Sequence, residues 1–154
     1  EFLDITIYYY GLLWAALNFT AGISSYRSHK TEKKYKLDNL LLHLGILMSF
    51  SFALVYFFST YFGLLFIFII YYLRGVLTPI LKNQINLQAA SNIRATVMSV
   101  RSFVLRVGFA IIAPILGMMA DNQGISYSFL LLSILIIIFI SIAIFKIKAI
   151  KKIN

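Results

Sequence analysis

Long apolar runs separated by short polar segments dominate this sequence. Residues 5–26 contain no Lys, Arg, Asp or Glu, and a longer uncharged run covers residues 39–73. About 20 helical residues cross a bilayer, because each residue rises about 1.5 Å and the hydrocarbon core is about 30 Å thick. The first run therefore predicts one membrane-spanning helix. The second predicts two, with Ser59, Thr60 and Gly63 supplying the turn between them.

The rest of the pattern predicts two more helices. After a polar stretch at 82–94, residues 95–119 are again mostly apolar, Asp121 to Gly124 form a turn signal, and residues 125–145 carry no charge. The predicted fold is all-α, a polytopic transmembrane helical bundle. Its five predicted spans are at residues 5–25, 38–58, 61–81, 95–119 and 125–145.

Composition supports a membrane protein and narrows its chemistry. The chain is 61% hydrophobic and 12% charged, whereas soluble domains are about 45–50% apolar and about 25% charged. The net charge of +9 does not indicate nucleic-acid binding, because the basic residues form short clusters between apolar runs. The sequence has no Cys, no metal-binding His/Cys pattern and no glycine-rich phosphate loop. It therefore predicts no cofactor and no metal.

Basic residues mark one side of the predicted bundle. Segments 1–4, 59–60 and 120–124, on the opposite side, contain no Lys or Arg. Since Lys and Arg concentrate in cytoplasmic loops, we predict an outside N-terminus and a cytoplasmic C-terminus in the plasma (cell inner) membrane. The eleven basic residues of the loops and tail are Arg27, Lys30, Lys33, Lys34, Lys36, Lys82, Arg94, Lys146, Lys148, Lys151 and Lys152.

Four short motifs occur in a recognisable order. They are GISSYRSHK at 22–30, RGVLTP at 74–79, RATVMS at 94–99 and PILGMMADNQG at 114–124. In this order and topology the chain resembles the C-terminal part of a major facilitator superfamily transporter, from the eighth to the twelfth span. The resemblance covers essentially the whole chain.

The first motif matches the cytoplasmic loop signature of that family only in part. Gly22, Arg27 and Lys30 occupy signature positions, whereas Tyr26 replaces the aspartate and His29 the second glycine. In the family the aspartate helps to latch the two halves of the transporter together. The departure at Tyr26 puts that latch in doubt for this chain.

The resemblance implies a secondary active transporter, which is not an enzyme and works by rocking two six-helix halves around a site near mid-membrane. Residues 1–154 would then be a partial C-terminal transmembrane domain, and the Glu1 start favours a fragment. Implied partners are the lipid bilayer, the missing N-terminal spans and a small-molecule substrate. One alternative is a small non-catalytic membrane subunit. Another is a membrane-embedded enzyme for phosphorylated or lipid-linked substrates, although no acid, nucleophile or metal cluster accompanies its arginines.

Two arginines inside predicted spans are candidates for substrate binding or gating, because a charge in the bilayer core is costly. Arg106 lies about 18 Å along a helix from Arg94. It either contacts substrate or is a structural charge that reaches the interface or neighbouring carbonyls. Arg74 either lines a cavity as an anion partner or forms an interhelical ion pair near Pro79, which would bend its helix.

Aromatic and amide side chains supply three further candidates. Trp14 and Asn18 share a face of the first predicted span, and Tyr71 precedes Arg74 in the third. Trp14 and Asn18, with Tyr10 on the same face, are suited to stack on and hydrogen-bond a substrate. The alternatives are an outer aromatic belt for Tyr8, Tyr9 and Tyr10, and a helix–helix hydrogen bond for Asn18. The resemblance implies a cavity-lining position for Tyr71, because the corresponding span of the family lines the central cavity. His43 is interpreted as an interfacial or packed histidine and not as a proton carrier.

Overall fold

The computed structural model describes residues 7–58 and 61–153, and these residues form five helices. Residues 5 and 6 of the first predicted span, and Ser59 and Thr60 of a predicted turn, lie outside the described residues. The all-α prediction is confirmed. The helices are α1 (Ile7–Lys34), α2 (Leu37–Phe57), α3 (Tyr61–Gln88), α4 (Arg94–Gln123) and α5 (Ile125–Ile153).

Four of the helices are long and apolar enough to cross a membrane: α2, α3, α4 and the Ile125–Ala143 part of α5. This is consistent with an integral membrane protein. The prediction of five spans is wrong, because the described part of α1 does not belong to this group. Its first half contains tyrosines and Asn18 among the aliphatic residues, and its second half is rich in Ser and Lys.

Two predicted loops are largely helical. α1 continues through the predicted first loop to Lys34, and α3 continues beyond the predicted end at residue 81 to Gln88. The two extensions contact each other, because the Glu32 carboxylate accepts hydrogen bonds from Asn83 Nδ2 at 3.0 and 3.2 Å and from Gln84 Nε2 at 2.7 Å. A tertiary contact between polar segments thus stabilises helix where hydropathy alone predicted loop.

α1 and α3 form a parallel pair. Trp14 contacts Tyr71 near one end and Glu32 contacts Asn83 near the other, so residue numbers rise together along both helices. This pairing and that of α2 with α5 are the two most extensive in the described bundle. α2 joins α3 through an apolar cluster, made of Leu40, Val76 and Ile80 with Leu37 and Leu44 packed against it.

α2 and α5 form an antiparallel pair, and two buried serines hydrogen-bond the helices to each other. Ser49 Oγ donates to the Ser133 carbonyl at 2.9 Å, Ser133 Oγ donates to the Ser49 carbonyl at 2.9 Å, and the two hydroxyls are 3.0 Å apart. One helical turn or more away, Gly45 lies against the Ile140 side chain. Small residues at both places allow close backbone approach, and the paired hydroxyls satisfy each other in an apolar setting.

α4 is the least covered helix. Among its described residues none is buried, although it packs against α5, where Ser128 Oγ donates to the Leu116 carbonyl at 2.8 Å. Its contact with α3 is slight. α4 therefore leaves most of its surface open to lipid or to other protein.

Candidate functional site

α1 and α3 approach each other tightly at Gly75. A Cβ atom on this glycine would collide with Ser24 Oγ and the Ala21 carbonyl oxygen, and would lie 2.8 Å from Ala21 Cα. Ser24 is fully buried there, with its hydroxyl donating to the Ala21 carbonyl at 2.9 Å. Because only hydrogen fits at this position, Gly75 determines the spacing of the two helices.

A polar groove of about 260 Å³ lies along this helix pair, and we call it the α1–α3 groove. Arg74 and Lys82 give it positive charge, and the described lining residues include no carboxylate. Pro79 also lines it and, having no N–H, leaves the Gly75 carbonyl without its usual helical donor. The lining residues are Asn18, Ala21, Ser25, Arg74, Gly75, Thr78, Pro79 and Lys82.

An aromatic pair continues the groove at one end. The rings of Trp14 and Tyr71 meet edge to face with centroids 6.3 Å apart, and Arg74 Cζ lies 5.6 Å from the Tyr71 centroid. These residues recur at helical spacing, Trp14 with Asn18 on α1 and Tyr71 with Arg74 on α3, so each pair shares a helix face. The structure thus brings four of the five substrate-binding or gating candidates together.

Asn18 and Arg74 both present polar groups at the groove. Asn18 Nδ2 donates to the Trp14 carbonyl of its own helix at 2.9 Å, so the described contacts do not include the interhelical hydrogen bond that was one of its two interpretations. The Arg74 guanidinium contacts the Tyr71 ring, and the described residues show no ion pair for it. Both side chains are therefore exposed along a shared surface.

Arg106 lies apart from this groove. It lines a separate open depression of about 450 Å³ on α4, together with Met98, Ser99, Ser102 and Phe103. Its side chain is exposed, and within the described residues no carboxylate pairs with it. The structure therefore does not bring Arg106 to the other four candidates.

The three residues of the loop signature lie on a helix and not in a loop. Gly22, Arg27 and Lys30 all fall within α1 and are exposed. No atom lies within 4 Å of the position that a Cβ on Gly22 would occupy, so this glycine makes no close helix contact in the structure. The His43 side chain is exposed, and its Nδ1 donates to the Asn39 carbonyl of its own helix at 2.5 Å; its interpretation as an interfacial or packed residue stays a prediction.

Sequence reasoning missed Gly75 and Glu32. Gly75 directly follows Arg74 and precedes a helical Pro79, and a glycine in an apolar helix is a recognised signal for close helix packing. Glu32 gave no comparable signal, because its partners, Asn83 and Gln84, are more than fifty positions away in the chain.

No protein-family model matches the chain, and no curated protein or solved structure is significantly similar to it. The resemblance to the major facilitator superfamily therefore depends on the sequence motifs alone.

Proposed function

We propose that this chain is part of a secondary active transporter of the major facilitator type, and that the α1–α3 groove contacts the transported solute. The observation that carries the proposal is that Asn18 and Arg74 line one groove, and that the Trp14–Tyr71 pair lies beside it in contact with Arg74. Ionisable side chains within membrane helices commonly mark solute pathways, because placing a charge in the bilayer core is costly.

The chemistry of the groove favours a small anionic solute. Arg74 offers a planar guanidinium that binds carboxylate or phosphate through two parallel hydrogen bonds, and Lys82 adds a second cation. The Trp14–Tyr71 pair supplies an aromatic edge for a ring or another apolar body. We therefore infer an organic anion that carries a carboxylate or a phosphate.

The exposure of α4 supports the proposal that further spans of the same transporter pack beside it. Its described residues include none that is buried, and Arg106 on its surface has no carboxylate partner among them. In a complete transporter such a helix would face the other half across a central cavity. Arg106 would then gain its partner from that half or from the solute.

The test measures uptake of labelled carboxylate and phosphate solutes into proteoliposomes. Liposomes with the 154-residue chain alone should show no uptake, whereas the chain joined to its remaining spans should transport. Arg74→Gln should weaken solute affinity about tenfold to a hundredfold, the range for one hydrogen-bonded charge, and Arg74→Lys should weaken it less.

Arg101→Gln is the matched control, because it removes one guanidinium from α4 without altering the groove. Equal losses of solute affinity in the Arg74→Gln and Arg101→Gln variants would contradict a role for the α1–α3 groove in solute binding. Uptake by the chain alone would contradict the partial-domain proposal.

A further inference from the structure

A second concave surface lies where α1 ends and α2 begins. A depression of about 410 Å³ is lined by residues from both helices, and an apolar depression of about 340 Å³ continues from His43 along α2. We call the two together the α2 groove. The first part is lined by Thr31, Tyr35, Asn39, Leu40, His43 and Leu44, and the second by His43, Ile46, Leu47 and Phe50.

One face of α2 forms the floor of this groove and changes from polar to apolar along its length. Asn39 is four residues before His43, His43 is three and four residues before Ile46 and Leu47, and Phe50 follows these two by four and three. These spacings place the five residues on a single helix face. Ile46, Leu47 and Phe50 have exposed fractions of 53%, 47% and 59%, so no described helix covers the apolar end. From residue 39 to residue 50 the face extends about 16 Å.

The polar end of the α2 groove lies in the basic segment 27–38, where α1 ends and α2 begins. Lys34 Nζ is 5.5 Å from the centroid of the Tyr35 ring, which lines the groove, and Lys34 shares a face of α1 with Thr31. Of the two carboxylates in the same segment, Glu32 is engaged by α3 and Asp38 lies in the first turn of α2. The basic residues of the segment are Arg27, Lys30, Lys33, Lys34 and Lys36.

We propose that the α2 groove binds one anionic phospholipid. Its phosphate lies at the polar end beside Lys34, and one acyl chain lies along Ile46, Leu47 and Phe50. Charge complementarity selects the headgroup, since basic pockets between membrane helices attract anionic lipids. The length of the groove suits one acyl chain, because about 16 Å matches the thickness of one leaflet in a hydrocarbon core about 30 Å thick. The inference requires a membrane location and is independent of the transport proposal.

Fluorescence quenching by brominated lipids tests this proposal in the full chain. The sequence has a single Trp, so Trp14→Phe combined with Phe50→Trp creates one reporter at the apolar end of the α2 groove. In phosphatidylcholine nanodiscs, brominated phosphatidylglycerol should quench this reporter with an association constant about fivefold or more above that of brominated phosphatidylcholine. Equal quenching by the two lipids would overturn the proposal.

Substitutions of two neighbouring lysines distinguish binding of one lipid in the groove from a general attraction of anionic lipids to the basic segment. Lys34→Gln should lower the preference for phosphatidylglycerol about fivefold, the factor expected for one basic residue near such a surface. Lys33→Gln removes the same charge two positions from Thr31, about 200° around α1, and should leave the preference unchanged. Equal reductions in the two variants would overturn the proposal.

Two further measurements remove remaining ambiguities. Glycerol phosphate added in solution should not displace the brominated lipid, and displacement would show that the site takes free phosphate compounds instead. Native mass spectrometry of the unaltered chain should retain phosphatidylglycerol and release phosphatidylcholine at the same collision energy. Release of both at equal energy would overturn the proposal even if the reporter variant failed to fold.

Discussion

Replacing Gly75 with Ala tests the packing on which the α1–α3 groove depends. The added Cβ would meet Ser24 Oγ and the Ala21 carbonyl oxygen, and would be 2.8 Å from Ala21 Cα. Two of these three atoms belong to the backbone of α1, so no change of rotamer can relieve the collision. The helices must move apart.

The required movement determines the expected loss of stability. Carbon atoms are in favourable contact at about 3.5 Å or more, so the 2.8 Å approach to Ala21 Cα alone requires a shift of about 0.7 Å. Overpacking of this kind lowers the free energy of unfolding by about 1–3 kcal/mol. Alanine also gains about 0.5–1 kcal/mol of helix propensity over glycine, which partly offsets the loss.

Gly22→Ala makes the same chemical change on α1 at a position with no atom within 4 Å of the new Cβ. Gly22→Ala should gain helix propensity without a collision. The difference between the two variants in the free energy of unfolding, about 1–3 kcal/mol, therefore isolates the steric effect. Unfolding in mixed micelles can be followed by the emission of Trp14, the single Trp, which contacts Tyr71 across the same helix pair. Equal stability of the two variants would refute the tight contact of Gly75 with α1.

Three other tests, one with a double substitution and two with single substitutions, address separate parts of the bundle. Ser49→Cys with Ser133→Cys should form a disulfide on mild oxidation, seen as loss of both thiols, because the native hydroxyls are 3.0 Å apart; pairing residue 49 with Ser141→Cys should leave both thiols free. Glu32→Gln should lower the free energy of unfolding by about 1 kcal/mol, by weakening charge-assisted hydrogen bonds from α3, and an unchanged value would show that the end of α3 is not held there. Arg106→Gln should change the stability of this chain by no more than about 0.5 kcal/mol, because the side chain is exposed; a larger loss in thermal unfolding would reveal a structural partner.

Hydropathy was sufficient to locate the helices but not all of their ends. The predicted spans at 38–58 and 125–145 begin within one residue of α2 and α5, because uncharged runs and turn signals delimit them clearly. α1 and α3 extend well beyond the predicted ends of their spans, to Lys34 and Gln88, since polar residues form helix readily where another helix hydrogen-bonds them. The predicted span at 5–25 failed for a related reason, because absence of charge does not make a tyrosine-rich helix apolar.

The candidate site was predictable only within each helix. Helical spacing placed Trp14 with Asn18 and Tyr71 beside Arg74, but nothing local indicated that α1 and α3 run side by side. That juxtaposition depends on Gly75, whose role becomes visible only when the backbone of α1 lies against it. For the same reason, the sequence favoured Arg106 over Arg74 as a candidate, whereas the structure places Arg74, and not Arg106, beside the other candidates.

The reciprocal hydrogen bonds of Ser49 and Ser133 join α2 and α5 by a contact that does not depend on ionic conditions. Neither hydroxyl ionises in the physiological pH range, neither carries net charge, and both are almost completely buried. Salt screens charge pairs and pH changes titrate them, but these neutral bonds respond to neither. A membrane protein borders two compartments that differ in acidity and salt. The Ser49–Ser133 contact should therefore keep the same register and the same hydrogen bonds when the acidity or salt concentration of either compartment changes.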